Sequence, residues 1–294
     1  MTNSNTNLIN YYLVDFWNEW GDPRAAEYPL MSTLMIPLSV LAVYLSFVLY
    51  IGPRWIMHSE RKPYQLRPLL ITYNLFMSLA NAFFLYQLML RTKPTKELFD
   101  VKFRPVTDRS EKTLTDMHYT YMYMLSKYVD LLDTVFFVLR KKQSQITLLH
   151  LYHHTMVAGM GWIYFRYNGA FIVTSYHFVL WNTTIHVLMY AYYGLSALGP
   201  SIQPYLWWKR YITQIQIAQF VALFLHGTYF FIYQQGYPLF FSIDILVQAA
   251  FYLFMFSRFY IQTYIKGSNK NKKLATATEV DSGNINRHQT KKLE

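Results

Sequence analysis

KYVDLLDT (Lys127 to Thr134) and HLYHH (His150 to His154) decide the reading of this chain, because both runs sit inside apolar stretches long enough to cross a bilayer. Lys127, Asp130 and Asp133 each cost roughly 2.5 to 3.5 kcal/mol at the centre of a membrane helix. Together that is about 8 to 10 kcal/mol unless the groups pair or face a polar cavity. The default expectation is an intramembrane polar site built from carboxylates and imidazoles.

The sequence around the two runs agrees with a membrane setting. The chain has 294 residues, 53% hydrophobic and 19% aromatic but only 15% charged, a balance that suits a multi-span membrane protein better than a soluble domain. Seven segments approach the roughly 20 apolar residues a spanning helix needs: near 30–51, 69–90, 117–139, 146–165, 170–193, 211–234 and 239–261. Gly52 and Pro53 close the first, Pro68 opens the second, and Gly199, Pro200 and Pro204 mark the loop before the sixth. The fold class expected is therefore an all-α membrane protein with seven transmembrane helices. Its parts are an N-terminal segment over 1–28, a transmembrane domain over 29–265 and a polar, disordered tail over 266–294. The N-terminus has neither a basic region nor a compact apolar core, so the first span, not a cleaved leader, is expected to direct insertion.

Basic residues orient the spans. Arg54, Arg61, Lys62 and Arg67 fill the first loop, Arg140, Lys141 and Lys142 the third, Lys209 and Arg210 end the fifth, and the tail is rich in lysine. These loops and the C-terminus are expected in the cytosol and the N-terminus in the lumen. The second loop, 91–116, runs against the pattern with seven basic residues, partly offset by five acidic ones. The chain ends KKLE, which is similar to the dilysine signal that retrieves membrane proteins to the endoplasmic reticulum.

Composition also excludes. With no Cys there is no disulfide, no thiolate metal site and no cysteine nucleophile. The formal charge of +11 is spread over loops and tail, without the aromatic and basic interleaving of a nucleic-acid groove, so no nucleic-acid partner is expected.

Helical spacing puts Lys127, Asp130, Asp133 and Thr134 within an arc of about 120°, and His150, His153 and His154 within about 100°. The fifth span shows a similar face in Asn182, His186, Met189, Tyr190 and Tyr193, and the sixth in Thr213, Gln216 and Gln219. Four such stripes on consecutive spans imply a bundle around a polar pocket. Isolated amides in membrane helices more often serve as interhelical hydrogen bonds, which is the plainer reading of Gln214, Gln216 and Gln219. NTT at Asn182 matches a glycosylation acceptor but lies inside a span, out of reach of the transferase.

The histidine cluster admits two chemistries. HxxHH is similar to the histidine boxes of membrane di-iron desaturases and hydroxylases. Those enzymes need several boxes, whereas this chain has nine histidines in all and a single HxxHH. The alternative is acyl transfer, for which a neutral imidazole is a competent nucleophile near pH 7. Seven spans with an outside N-terminus also describe a receptor, and topology alone admits a lipid transporter. Neither DRY-like nor NPxxY-like runs occur.

KYVDLLDTVFFVLRKK, QITLLHLYHHT, NTTIHVLMYAYYG and TQIQIAQ, in this order, resemble the very-long-chain fatty acid elongase (ELO) family, the 3-ketoacyl-CoA synthases of the endoplasmic reticulum. The likeness runs from about residue 20 to residue 266, with one departure: Asp130 stands where the family usually has Glu. The resemblance implies six spans forming an inverted barrel around an acyl tunnel. It also implies condensation of long-chain acyl-CoA with malonyl-CoA, without a cofactor, giving 3-ketoacyl-CoA, carbon dioxide and CoA. His153 matches the position of an acyl-histidine nucleophile. His150 and His154 would orient it or manage protons, and His186 would hold the malonyl unit or stabilise developing charge. Asp130 and Asp133 would fix imidazole tautomers, with Lys127 balancing their charge. Asn182 and Tyr190 would donate to the thioester oxygen, with Gln216 and Gln219 counted among the substrate-binding groups. Arg140, Lys142 and Lys209 are the expected CoA contacts at the cytosolic face. Membrane lipid, a second copy of the chain, and the reductases and dehydratase of the cycle complete the expected partners.

Overall fold

The computed structural model describes residues 8–92, 99–169 and 172–266. The expected disordered tail past Lys266, KKLE included, lies outside the described residues. The long helices are α1 (Met35–Ile56), α2 (Arg67–Arg91), α3 (Glu111–Val129), α4 (Leu132–Leu139), α5 (Leu148–Tyr167), α6 (Ile172–Ala197), α7 (Lys209–Tyr233) and α8 (Leu239–Lys266). Among the described residues there is no strand. One bridge joins Lys102 to Gln235 where two loops meet.

Among the described residues α1, α2, α7 and α8 are long and apolar enough to cross a membrane. Their outer faces invert the pattern of a soluble protein. Val43, Leu49, Phe76, Leu79, Leu225, Val247 and Phe254 stand exposed, while Asn81, Lys127, Asp130, Thr134, Arg166, Asn182 and Thr183 are buried. An apolar surface of that extent suits lipid tails, and helices suit them too, because each satisfies its own backbone polar groups. The chain is a multi-pass, all-helical membrane protein. Of the seven spans expected, four meet this test of length and apolarity. The remaining long helices, α3 with α4, α5 and α6, carry the ionisable and amide side chains of the motifs, which lower their apolarity.

Packing gathers those polar helices inward. α2 packs along α6, α6 against α7, α7 against α8, α3 against α5, and α2 against α3. The link from α5 to α8 is made by side chains: Tyr152 Oη donates to Gln248 Oε1 at 3.2 Å and Tyr164 Oη to Asp244 Oδ2 at 2.7 Å. α1 lies outside this circuit, against α4 and α5. Pro53 inside α1 lacks an N–H, and the helix widens there to i→i+5 bonds such as Met57 N to Gly52 O at 2.8 Å.

The segment ahead of α1 is folded onto the ends of α3 and α5. Asp22 caps the turn Pro23–Ala26 and pairs with Arg24 Nη2 at 2.7 Å, both side chains being almost fully buried. Arg166, in the last turn of α5, donates to Asp22 O at 2.9 Å and Met31 O at 3.0 Å. Arg24 also donates to the carbonyl of Asp108. Hydrogen bonds from Thr113 and Ser110 hold the Asp108 carboxyl down at about 2.

Candidate functional site

KYVDLLDT is where the third helix breaks. Between α3 and α4 the ladder tightens to i→i+3 bonds, Leu131 N to Tyr128 O at 3.3 Å and Asp133 N to Asp130 O at 3.2 Å. In that geometry residues three apart eclipse. Asp130 and Asp133 therefore point the same way, and both reach one hydroxyl: Tyr190 Oη on α6 lies 3.0 Å from Asp130 Oδ1 and 2.9 Å from Asp133 Oδ2. One hydroxyl hydrogen thus faces two carboxyl oxygens.

Lys127 is compensated on three sides. Its Nζ lies 3.1 Å from Asp130 Oδ2, 3.1 Å from Asn182 Oδ1 and 4.7 Å from the centre of the Tyr123 ring. Asn182 Oδ1 also accepts from Tyr123 Oη at 2.6 Å. Two donors on that oxygen fix the amide, so Asn182 Nδ2 donates to His186 Nε2, 3.2 Å away. The network thereby assigns His186 its proton on Nδ1, which faces Asp130 Oδ2 at 3.8 Å. That gap is longer than a hydrogen bond, and Asp130 is one methylene shorter than Glu.

HLYHH occupies the start of α5, where Thr147 caps the helix by accepting from His150 N at 3.2 Å. His150 and His154 meet at a tilt of 47° with ring centres 4.2 Å apart, and His153 lies edge-on to His154 at 5.4 Å and to Tyr252 of α8 at 5.5 Å. His150 Nε2 meets Thr134 Oγ1 at 2.9 Å, and Tyr44 of α1 donates to the same oxygen at 2.8 Å. Asp130 and Asp133 were expected to fix imidazole tautomers; among the described residues they hydrogen-bond Tyr190 and Lys127, Asp130 comes within 3.8 Å of His186 Nδ1, and neither hydrogen-bonds the imidazoles of HLYHH.

These groups border an internal cavity of about 190 Å3 between α3, α5, α6, α7 and α8. Its wall is mainly apolar: Met124, Met156, Val157, Met160, Phe178, Phe220 and Leu223. Of the site histidines His150, His153, His154 and His186, only His153 lines it, beside Lys127, Asn182 and Gln219. The other site imidazoles, both aspartates and Tyr190 stand behind that wall. Gln216 does not line the cavity, and its amide approaches Met189 Sδ at 4.0 Å. Arg140, Lys142 and Lys209 lie apart from this network, at the ends of α4 and α7, with Lys142 and Lys209 exposed. Among the described residues no three His, Asp or Glu side chains converge as a metal ligand set.

Sequence reasoning missed Tyr123, Tyr252 and Asp244. Tyr123 stands one turn before Lys127 on the same face, a usable signal. Asp244 is a lone carboxylate inside apolar LFFSIDILVQAA and could have been found by its cost alone. Nothing in the sequence around Tyr252 distinguishes it from the many aromatic residues that pack.

Lipid-facing helices folded around an apolar chamber, with imidazole, ammonium and amide groups at its wall, define a multi-pass membrane protein with an internal cavity. The ELO profile, described as the GNS1/SUR4 family, matches residues 29–272. The chain belongs to that family. It is 36% identical over 264 residues to very long chain fatty acid elongase 7 of Rattus norvegicus, an alignment covering 88% of this chain and 90% of the relative. Very long chain fatty acid elongase 1 of Mus musculus is 37% identical over 255 residues, 84% of this chain and 88% of the relative. Very long chain fatty acid elongase 7 of Drosophila melanogaster is 33% identical over 283 residues, 93% of this chain and 84% of the relative.

Proposed function

We propose that this protein is the condensing enzyme of fatty acid elongation, joining long-chain acyl-CoA to malonyl-CoA to give 3-ketoacyl-CoA, carbon dioxide and CoA. The observation that carries the reading is the position of His153: among the site histidines it alone is on the wall of an apolar cavity large enough to admit part of an acyl chain. Its relatives carry the name of elongases, and the chain has no cysteine to serve as a nucleophile.

In the first half-reaction a ring nitrogen of His153 attacks the thioester carbonyl. The carbon–sulfur bond breaks, the proton from the other ring nitrogen leaves with the CoA thiolate, and an acyl-imidazole remains. Malonyl-CoA then enters and loses carbon dioxide, leaving an enolate carbon that attacks the acyl carbonyl and releases His153, whose ring takes up a proton from solvent. The His186 ring, with its Nδ1 proton toward Asp130, and the amide of Asn182 are the groups beside Lys127 that would steady negative charge on thioester and enolate oxygens. The pair Asp130 and Asp133, joined through Tyr190, holds Lys127 in place next to the cavity. No cofactor is needed beyond the two CoA substrates.

The reading places seven spans in the endoplasmic reticulum membrane. Six of them, from α2 to α8, form the inverted barrel, with the N-terminus lumenal and the C-terminus cytosolic. His153 then lies toward the cytosolic end, within reach of a CoA held by Arg140, Lys142 and Lys209, and the acyl chain runs down the cavity toward the lumen. Association with the reductases and dehydratase of the cycle, or with a second copy, belongs to the same reading. The test is an assay of the purified protein with labelled malonyl-CoA against a panel of acyl-CoAs. Equimolar 3-ketoacyl-CoA and carbon dioxide are expected, and malonyl-CoA left unconsumed with every acyl-CoA would overturn the assignment.

A further inference from the structure

A second polar group of residues lines the same cavity away from His153. His226 of α7 is only 6% exposed, and among the described residues neither of its ring nitrogens has a hydrogen-bond partner. Its ring lies against that of His177, with centres 3.9 Å apart, and the residue forms part of the cavity wall. Asp244 and Gln248 of α8 and Tyr164 of α5 line the cavity with it. Asp244 is held by Tyr164 Oη at 2.7 Å and by Gln248 Nε2 at 3.4 Å.

Helix geometry sets the depth of this group. Seven residues separate Gln219 from His226 on α7, about 10 Å, and eight separate Asp244 from Tyr252 on α8, about 12 Å. Between the two levels the wall is hydrocarbon and aromatic: Val157, Phe220, Leu223 and Ala249. Burying an imidazole with no hydrogen bond carries the full cost of its lost hydration. A wholly hydrocarbon occupant would leave that cost in place. A neutral imidazole has one donor and one acceptor nitrogen, and a carboxyl group that accepts from two donors still has lone pairs to spare.

We infer that the far part of the cavity is a second subsite, which takes acyl chains bearing a hydroxyl group about 10–12 Å from the reacting carbonyl. His226 donates to the hydroxyl oxygen, and Asp244, positioned by Tyr164 and Gln248, accepts its proton in a hydrogen bond. The subsite rests on the condensing reading above and adds to it a preference for oxygenated over plain chains.

The experiment compares pairs of acyl-CoAs of equal length, one saturated and one hydroxylated, with the hydroxyl walked along the chain. The rate of condensation with malonyl-CoA is read for the wild-type protein, His226→Leu and His226→Gln. The wild-type ratio of hydroxylated to saturated rate is expected to peak at one narrow range of hydroxyl positions. It falls about tenfold at that peak in His226→Leu and largely persists in His226→Gln, which keeps a donor and an acceptor. A wild-type ratio indifferent to hydroxyl position overturns the subsite, as does an unchanged ratio in an active His226→Leu protein. If His226→Leu is inactive on both chains, the wild-type position profile decides alone. Absence of product from every chain in the wild-type protein overturns the condensing reading instead.

Discussion

Lys127, Asp130, Tyr190 and Asn182 act as one unit, and their energetics are those of a buried ion pair. Removing one partner strands the other in the bundle, at about 3–5 kcal/mol, whereas replacing both with neutral groups of similar size costs much less. Lys127→Met and Asp130→Asn are therefore each expected to lower the thermal midpoint sharply in detergent, and the double variant to recover part of the loss. Additive losses would show that the 3.1 Å contact carries no coupling. The charged residues themselves were legible in the sequence, because three ionisable groups in one apolar run have to be compensated. Their pairings were not. The register of α3 against α6, which brings Asn182 Oδ1 to Lys127 and Tyr190 between the aspartates, is set by packing across residues 55 to 60 positions apart. Likewise His150 binds Thr134 and not a carboxylate, a contact that depends on how α5 docks against α4.

Among the elements, the apolar segments were legible to within a few residues, as the match between 69–90 and Arg67–Arg91 or between 211–234 and Lys209–Tyr233 illustrates. The run 117–139 was expected as one span and is divided instead by the i→i+3 turn at Asp130 and Leu131. No proline or glycine announces that break, which is stabilised by the carboxylates' bonds to Tyr190 and so depends on another helix. Helix contact also explains Gly227. A Cβ there would meet Ile245 Cγ2 at 2.9 Å and Leu246 Cδ2 at 3.3 Å, where α7 packs on α8. Ile245 is β-branched and has little room to turn away. Gly227→Ala is expected to destabilise by about 1–3 kcal/mol, seen as a lowered melting temperature; an unchanged or raised one would mean that α7 and α8 can separate at no cost.

At the scale of the molecule, the polar groups divide into an interior network that bears on chemistry and a latch that bears on the fold. Asp22 neutralises Arg24 and, through its carbonyl, receives Arg166 of α5, all three being nearly inaccessible. The sequence marked this segment as an N-terminal extension, and its burial was illegible because DPR reads as a solvated turn until α5 supplies Arg166. Asp22→Asn leaves a buried guanidinium without its counter-charge, and is expected to lower thermal stability by about 3–5 kcal/mol. Wild-type stability in that variant would mean that Arg24 finds another partner.

On the proposed function the interior network serves one chemical event, transfer of the acyl group to His153. Intact-protein mass spectrometry after incubation with long-chain acyl-CoA alone, with malonyl-CoA withheld, observes it directly. The account predicts a covalent acyl adduct mapped to His153, one equivalent of CoA released, and loss of the adduct in His153→Ala and on addition of malonyl-CoA. CoA retained as acyl-CoA with no adduct, an adduct on another residue, or an adduct that survives in His153→Ala would contradict it.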